Sequence, residues 1–479
     1  MRLQGIRGPS YRFFHGNTKE IVSKKTEAMN SSMELSHDIL AKVQPHIAAW
    51  IHIYGRNFLT WKGPKAELIV TEPELIKEIL TDKNKCFRKI KVEGYMKKLL
   101  GDGLVTSEGN KWTKLRKVAN FSFHGESLKS MTPAMVAGVE MMLEKWKSYE
   151  GKEMDVFEEF RLLTSEVISR AAFGSNYLEG KSIFEKLMKL TILIYRNAFK
   201  YRLPGISKLF KSSDEIESEK LENEIHASLM KIIEKREVKV MSGEGESFGN
   251  DFLGLLLKAH HDTTNRISVQ DIVDECKTFY FAGQETTNGM LAWTVFLLAI
   301  HTDWQEEARK EVLQLFDPQT PSPDVICRLK CMTMITNESL RLYPPVIGIT
   351  RGVAKEVRLG KYVLPAGLQV RIANMVPHHD PQLWGKDVNE FRPERFSDGV
   401  AQATDNNAAS FLPFGMGPRT CVGFNFAINE VKIALAMILQ RYTFTLSPSY
   451  VHSPFQLLTL RPQHGLQIML CPLNDQGMQ

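Results

Sequence analysis

The sequence predicts a mainly α fold with a small β region. Three observations predict it. Residues 127–237 keep a helical period, interrupted at Gly151, Gly174 and Pro204-Gly205. A second long helical run extends from Ser268 to about Ile300. Strand-like patterns are confined to residues 46–71, residues 353–376 and the tail from Tyr442 to Leu470.

Composition bounds the reading. A chain of 479 residues has a length prior of about three domains. No Pro/Gly/Ser linker separates blocks of different composition, so one domain over 1–479 is expected. With 43% hydrophobic and 24% charged residues the chain can bury a large core. A net charge of +6 is mild, and no finger or arginine-rich pattern argues for nucleic acid. It is compatible with a basic patch for an acidic protein partner or an anionic membrane surface. Six irregularly spaced cysteines read as reduced thiols facing the cytosol, not a disulfide framework. Cys327 and Cys331 could share a helix face, but two ligands close no metal site. A membrane span needs ~20 apolar residues. The longest good run, Leu291–Ile300, is too short.

Taken in order, residues 19–45 carry a polar helical pattern expected to end at Pro45. Trp50, Ile51, Ile53 and Tyr54, then Phe58–Trp61, read as short strands. Gly63-Pro64 marks a turn before Leu68, Ile69 and Val70. Pro73–Leu80 restarts a helix, with Thr71 as candidate N-cap. Residues 82–108 read as an irregular basic loop. Trp112 and Arg116 are four apart and share a helix face. Asp214–Glu237 alternates acids and bases, as a solvated helix face does. GEGESFG, within 241–250, reads as a connector, since its glutamates would repel phosphate.

The long central helix starts with a capping-box pattern, Ser268 and Asp271. Thr302 and Gln305 form a second such pattern. Between them stands AGQETT, Ala282–Thr287. Gly283 costs ~1 kcal/mol against Ala in a helix, and two β-branched threonines follow. Ala282, Gly283 and Thr286 share one face, where a flat ring and a diatomic ligand could approach the backbone. Thr286 could instead return its hydroxyl to the Ala282 carbonyl. Asp317–Asp324 is a loop. Glu338 and Arg341 are three apart on one face, before Pro344-Pro345. Pro365-Gly367 marks a turn between paired strands. His378 and His379 look like metal ligands but read better as structure.

Cys421 follows a loop with two glycines and a proline and precedes an apolar helical run. That helix offers its positive end, which favours a thiolate. Gly417 and Gly423 leave room for a flat cofactor, and Arg419 could hold an anionic group.

Phe414, Gly417, Arg419, Cys421 and Gly423 match F-x-x-G-x-R-x-C-x-G. This pattern resembles the haem-ligand loop of the cytochrome P450 superfamily. Three further motifs resemble that family, in its order: Trp112 with Arg116, AGQETT, and Glu338-x-x-Arg341 with PERF. YFAGQETTN, LPFGMGPRTCVGFNFA and the opening GIRGPSYRFFHGN look most like a plant branch that oxidises terpenoids and hormones.

The resemblance implies a P450 fold with haem b between the long helix and the cysteine loop. It implies Cys421 as iron ligand and Glu285 with Thr286 at the oxygen-activation site. Trp112, Arg116, Arg351 and Arg419 would hold the propionates, beside Ala282, Gly283, Phe414 and Gly423. Glu338 and Arg341 would lock structurally with Arg395, ahead of Arg392. Residues 82–108 would lie over a pocket holding Phe279, Phe281, Val346, Ile347 and Leu457. The substrate would be an apolar terpenoid or steroid-like hormone, oxidised with O2. No flavin or nicotinamide fingerprint occurs. Electrons from NADPH would therefore arrive through NADPH-cytochrome P450 reductase, docking near Lys111, Lys114, Lys117 and Lys432. Residues 1–18 resemble the hinge after a membrane anchor, which is expected outside this chain. The implied location is the endoplasmic reticulum membrane, facing the cytosol. Two alternatives are a haem-thiolate isomerase or dehydratase that needs no O2, and a non-enzymatic haem sensor or electron carrier.

Overall fold

The computed structural model describes residues 1–175, 177–198, 200, 211–243, 247–263, 266–316 and 321–473. Its centre is the helix Val269–Ile300. Nearly every residue from Ile272 to Ala299 is buried, including polar ones such as Asp274, Glu275, Lys277 and Glu285. The Ser268 hydroxyl accepts from the Asp271 N–H at 3.1 Å, and the Asp271 carboxylate accepts from the Ser268 N–H at 2.9 Å. The predicted capping box is therefore formed.

Of the helices packed on this axis, two position the site. Val156–Phe173 approaches it at Gly283, where an added Cβ would lie 2.8 Å from Ile168 Cδ1. Gly283 thus permits close helix packing as well as facing a cavity. Phe424–Leu439 follows the cysteine loop and is buried from Glu430 to Leu439.

The main sheet lies apart from this bundle. Phe58–Lys62 and Lys65–Val70 form an antiparallel hairpin, with Phe58 opposite Ile69. The second strand pairs in parallel with Gln369–Ile372. That strand pairs antiparallel with Ile349–Val353, which also meets Phe87–Arg88. Its role for the site is positional: Ile349 and Arg351 are two apart, so they share one face of their strand.

Several local expectations are corrected. Trp50, Ile51, Ile53 and Tyr54 belong to a helix, Pro45–Tyr54, not a strand. Ile47, Trp50, Ile51 and Tyr54 recur at helical spacing and pack with Phe58, Ile69 and Ala373. Pro45 starts that helix rather than ending one; the pattern before it forms two helices, Thr18–Asn30 and the short Leu40–Val43. Thr71 is not a cap, because its hydroxyl donates to the Arg56 carbonyl at 2.8 Å. The loop 82–108 contains a helix, Gly94–Leu100.

Gln305 makes no capping box. Its amide instead donates to the carbonyls of Leu298 and Phe444, at 3.0 and 2.8 Å. The acid–base run lies in Ser213–Met241, which buries Leu221, Ile225, Leu229 and Ile233 along one stripe. Cys327 and Cys331 do not share a helix: Cys327 caps Pro323–Ile326, and Cys331 lies in Lys330–Leu342. Pro204-Gly205, and parts of the 241–250 and 317–324 segments, lie outside the described residues.

Candidate active site

The loop before Cys421 is held by backbone and rings. The Cys421 N–H donates to the Phe414 carbonyl at 2.9 Å. Phe414 meets Phe424 edge-on, with centroids 4.6 Å apart. Gly417 has φ 72°, and an added Cβ would lie 2.3 Å from the Leu80 carbonyl oxygen. Only glycine suits that position. A Cβ added at Gly423 would meet nothing within 4 Å, so space remains beside the sulfur.

Cys421 opens onto a cavity between this loop and the long helix. The cavity lies inside the protein, and burial pushes the thiol up. The Gly423 N–H and the Arg116 charge pull it down, but by less. The sequence reading expects a lowered thiol. Desolvation of the buried sulfur outweighs both the Arg116 charge and the helix end.

Ala282, Gly283, Thr286 and Thr287 line the same cavity from the long helix. The Thr286 hydroxyl donates to the Ala282 carbonyl at 2.7 Å. Glu285 points elsewhere and is absent from the lining. Its Oε1 accepts from Thr459 Oγ1 at 2.7 Å and lies 4.0 Å from Arg461 Nη1. Its Oε2 is buried without a hydrogen-bond partner.

Four cations line the cavity: Lys89, Arg116, Arg351 and Arg419. None of the described lining residues is a carboxylate. Arg419 lies 4.3 Å from the Trp112 ring centre and pairs with Glu108, outside the lining, at 3.0 Å. Arg116 donates to the Thr420 carbonyl at 2.6 Å and to Asn120 at 2.9 Å. Arg351 is pulled down to about 10 by burial and then by Arg419. Lys89 is pulled down to about 7 by burial, Arg351 and Arg419. Clustered cations with so little countercharge call for an anionic ligand. A flat group with two carboxylates and a metal for Cys421 fits this cavity.

Glu338 and Arg341 are fully buried and paired through two 2.7 Å hydrogen bonds. Arg341 also donates to the carbonyls of His378 and Val388, at 2.9 and 2.8 Å. Arg395 lies 3.4 Å from Glu338. The Arg392 side chain goes to Asp387 instead, and only its backbone N–H reaches Glu338.

The pocket residues divide. Phe279 and Val346 line the cavity, and Phe279 stacks on Phe123 with centroids 5.2 Å apart. Phe281 packs on the core, Ile347 is buried, and Leu457 bonds to Thr459; none of the three lines the cavity. Lys89 and Asn374 also line it, and no sequence pattern marks either of them. Ile349 lines it as well, at the end of the apolar run 346–349 that the sequence marks as facing the substrate. Lys432 is buried and donates to Thr333 and Leu329, so it offers no surface contact. Lys111 is paired with Asp102 and Asp271, whereas Lys114 and Lys117 are exposed. His378 accepts from the Leu412 N–H and His379 donates to the Leu342 carbonyl, as structural histidines do.

Comparison with known proteins agrees with this geometry. A family model described as Cytochrome P450 matches residues 42–469. Cytochrome P450 CYP749A22 of Panax ginseng is 60% identical, over 98% of this chain and 91% of its own. Secologanin synthase 1 of Catharanthus roseus is 44% identical, over 98% and 91%. A crystal structure of a cytochrome P450DA heme domain superposes with a TM-score of 0.79, at 23% identity, over 91% of this chain and 94% of that one. Four motifs in order, a cavity uniting Cys421 with Thr286, and these matches lead to one conclusion: the chain belongs to the cytochrome P450 family and is a monooxygenase.

Proposed function

We propose that the protein oxidises an apolar small molecule, a terpenoid or steroid-like hormone. One observation carries this reading: an otherwise mostly apolar cavity brings together Cys421, Thr286 and four cations. The relative named secologanin synthase supports a terpenoid substrate. Haem, when bound, supplies oxygen activation and insertion. Cys421 would hold its iron, and Trp112, Arg116, Arg351 and Arg419 its carboxylates, with Lys89 beside them. Ala282, Gly283 and Gly423 would leave room for it, and Phe414 would pack beside it. Phe279, Val346 and Ile349 would exclude water and orient the substrate. Thr286 Oγ1 would hold a proton-carrying water in the cavity, and Glu285 would connect that water outward past Thr459. Glu338, Arg341 and Arg395 would hold the fold.

NADPH would supply electrons through NADPH-cytochrome P450 reductase, docking on exposed Lys114 and Lys117. The catalytic domain, 1–479, would face the cytosol at the endoplasmic reticulum membrane. Among the described residues no helix is long and apolar enough to cross a membrane. Screening terpenoids and steroids by the shift of the haem absorption band would identify the ligand. Turnover of a binding compound should require NADPH, reductase and O2 together. Conversion without NADPH would favour an isomerase and sink the proposal. Cys421→His should abolish the strongly red-shifted band of the reduced carbonyl adduct. Survival of that band would assign the ligand to another cysteine.

A further inference from the structure

We propose that Glu237, His260 and His261 form a divalent-cation site of the zinc type. None of the three lines the cysteine cavity. Glu237 lies in the last turns of Ser213–Met241, and the two histidines end Phe252–His261. One donor atom from each lies within 4.8 Å of the others. His260 is 9% exposed, and its Nδ1 donates to the Ile267 carbonyl at 2.7 Å. That bond sets the tautomer and leaves the Nε2 lone pair for a ligand. It is the support that metal-binding histidines usually have. His261 Nε2 lies 3.1 Å from Glu237 Oε1, and its ring stacks on Phe248 with an interplanar angle of 2°.

The frame around the donors is tied down. Arg236, next to Glu237, donates to the carbonyls of Phe173 and Phe248, at 2.8 and 2.9 Å, and pairs with Asp251 at 2.8 Å. Two histidines and one carboxylate are a donor set zinc uses with a fourth position open to water. Bonds of ~2.0–2.2 Å would put the donors roughly 3.3 Å apart. Rotation of the exposed His261 and half-buried Glu237 side chains closes the gap. On binding, the His261–Glu237 hydrogen bond is exchanged for metal bonds, and the His261 ring proton moves to Nδ1. The exposed ring leaves an entry path. The bound ion would clamp two helix ends together.

The test uses tag-free, haem-loaded protein titrated with zinc chloride by calorimetry. One equivalent should bind. Zinc-edge X-ray absorption should show two imidazoles and a carboxylate. Glu237→Gln and His261→Asn each remove a ligand. Each should weaken binding by at least the ~10–100-fold lost when a residue that merely supports a metal ligand is changed. His226→Asn, on an exposed histidine elsewhere in Ser213–Met241, should leave affinity unchanged. Circular dichroism confirms that each variant is folded. No bound equivalent in the parent, or parental affinity in either ligand variant, overturns the site.

Discussion

The Thr286 hydroxyl donates to the Ala282 carbonyl, one turn back in the long helix, at 2.7 Å. Both residues line the cysteine cavity. The bond orients the hydroxyl, and its lone pairs remain for a water. Positioned proton transfer typically contributes ~10²–10⁴-fold. In Thr286→Ala, NADPH consumption should continue while product per NADPH falls about tenfold or more and hydrogen peroxide rises. Thr286→Ser should keep most of the coupling. A Thr286→Ala ratio equal to the parent's would remove the assigned role.

Glu338 is buried against Arg341 with no exposure of either side chain. Removing one partner of a buried pair typically costs about 3–5 kcal/mol. The orphaned Arg341 would also keep its bonds to the carbonyls of His378 and Val388. Glu338→Ala should yield haem-free or aggregated protein, followed by gel filtration and haem content. Folded, haem-loaded Glu338→Ala with altered rates alone would contradict a structural role.

Arg351 and Arg116 should act on haem retention more than on the iron. Hydrogen bonds to charged groups contribute about 1.5–3 kcal/mol each, so losing one should speed haem loss roughly tenfold to a hundredfold. Transfer to apomyoglobin measures this for Arg351→Gln and Arg116→Gln. The Soret maximum of the retained fraction should not move. Unchanged transfer rates in both variants would place the propionates elsewhere.

Acid should destabilise the protein through buried histidines. Burial, then His301 and His452, pulls His37 down to about 3. Burial pulls His452 down to about 4, against its bond to the Ser36 carbonyl. Both rings are held, His37 by Tyr343 at 2.8 Å and His452 by Tyr450 at 3.0 Å. The folded state keeps these rings neutral, while the unfolded chain protonates them near 6.5. Their contribution is therefore whole above about pH 6.5 and is lost as pH falls toward 4 and 3. The limiting slope is about 1.4 kcal/mol per pH unit for each histidine. Urea midpoints at a series of pH values check this. His452→Asn should flatten the slope by one such increment, and an unchanged slope would exclude His452.

By itself the sequence determined the class and the chemistry. Ser268 with Asp271 marked the start of the central helix, because a capping box is a local pattern. The cysteine loop and AGQETT were legible because their residue types depart from what helix and turn stability favour. Tertiary structure decided what depends on direction. Residues 45–54 became a helix because Ile47 and Trp50 found Phe58, Ile69 and Ala373 to pack against. Adjacent residues on the central helix point about 100° apart, so Thr286 faces the cavity while Glu285 turns to Thr459. Lys89 joins Arg351 from a distant stretch of chain, a meeting that no local pattern encodes. Lys432 was buried by the packing of its helix on Leu329 and Thr333. Which side chains share a cavity is set by how helices and strands pack, and packing is settled by contacts far apart in sequence.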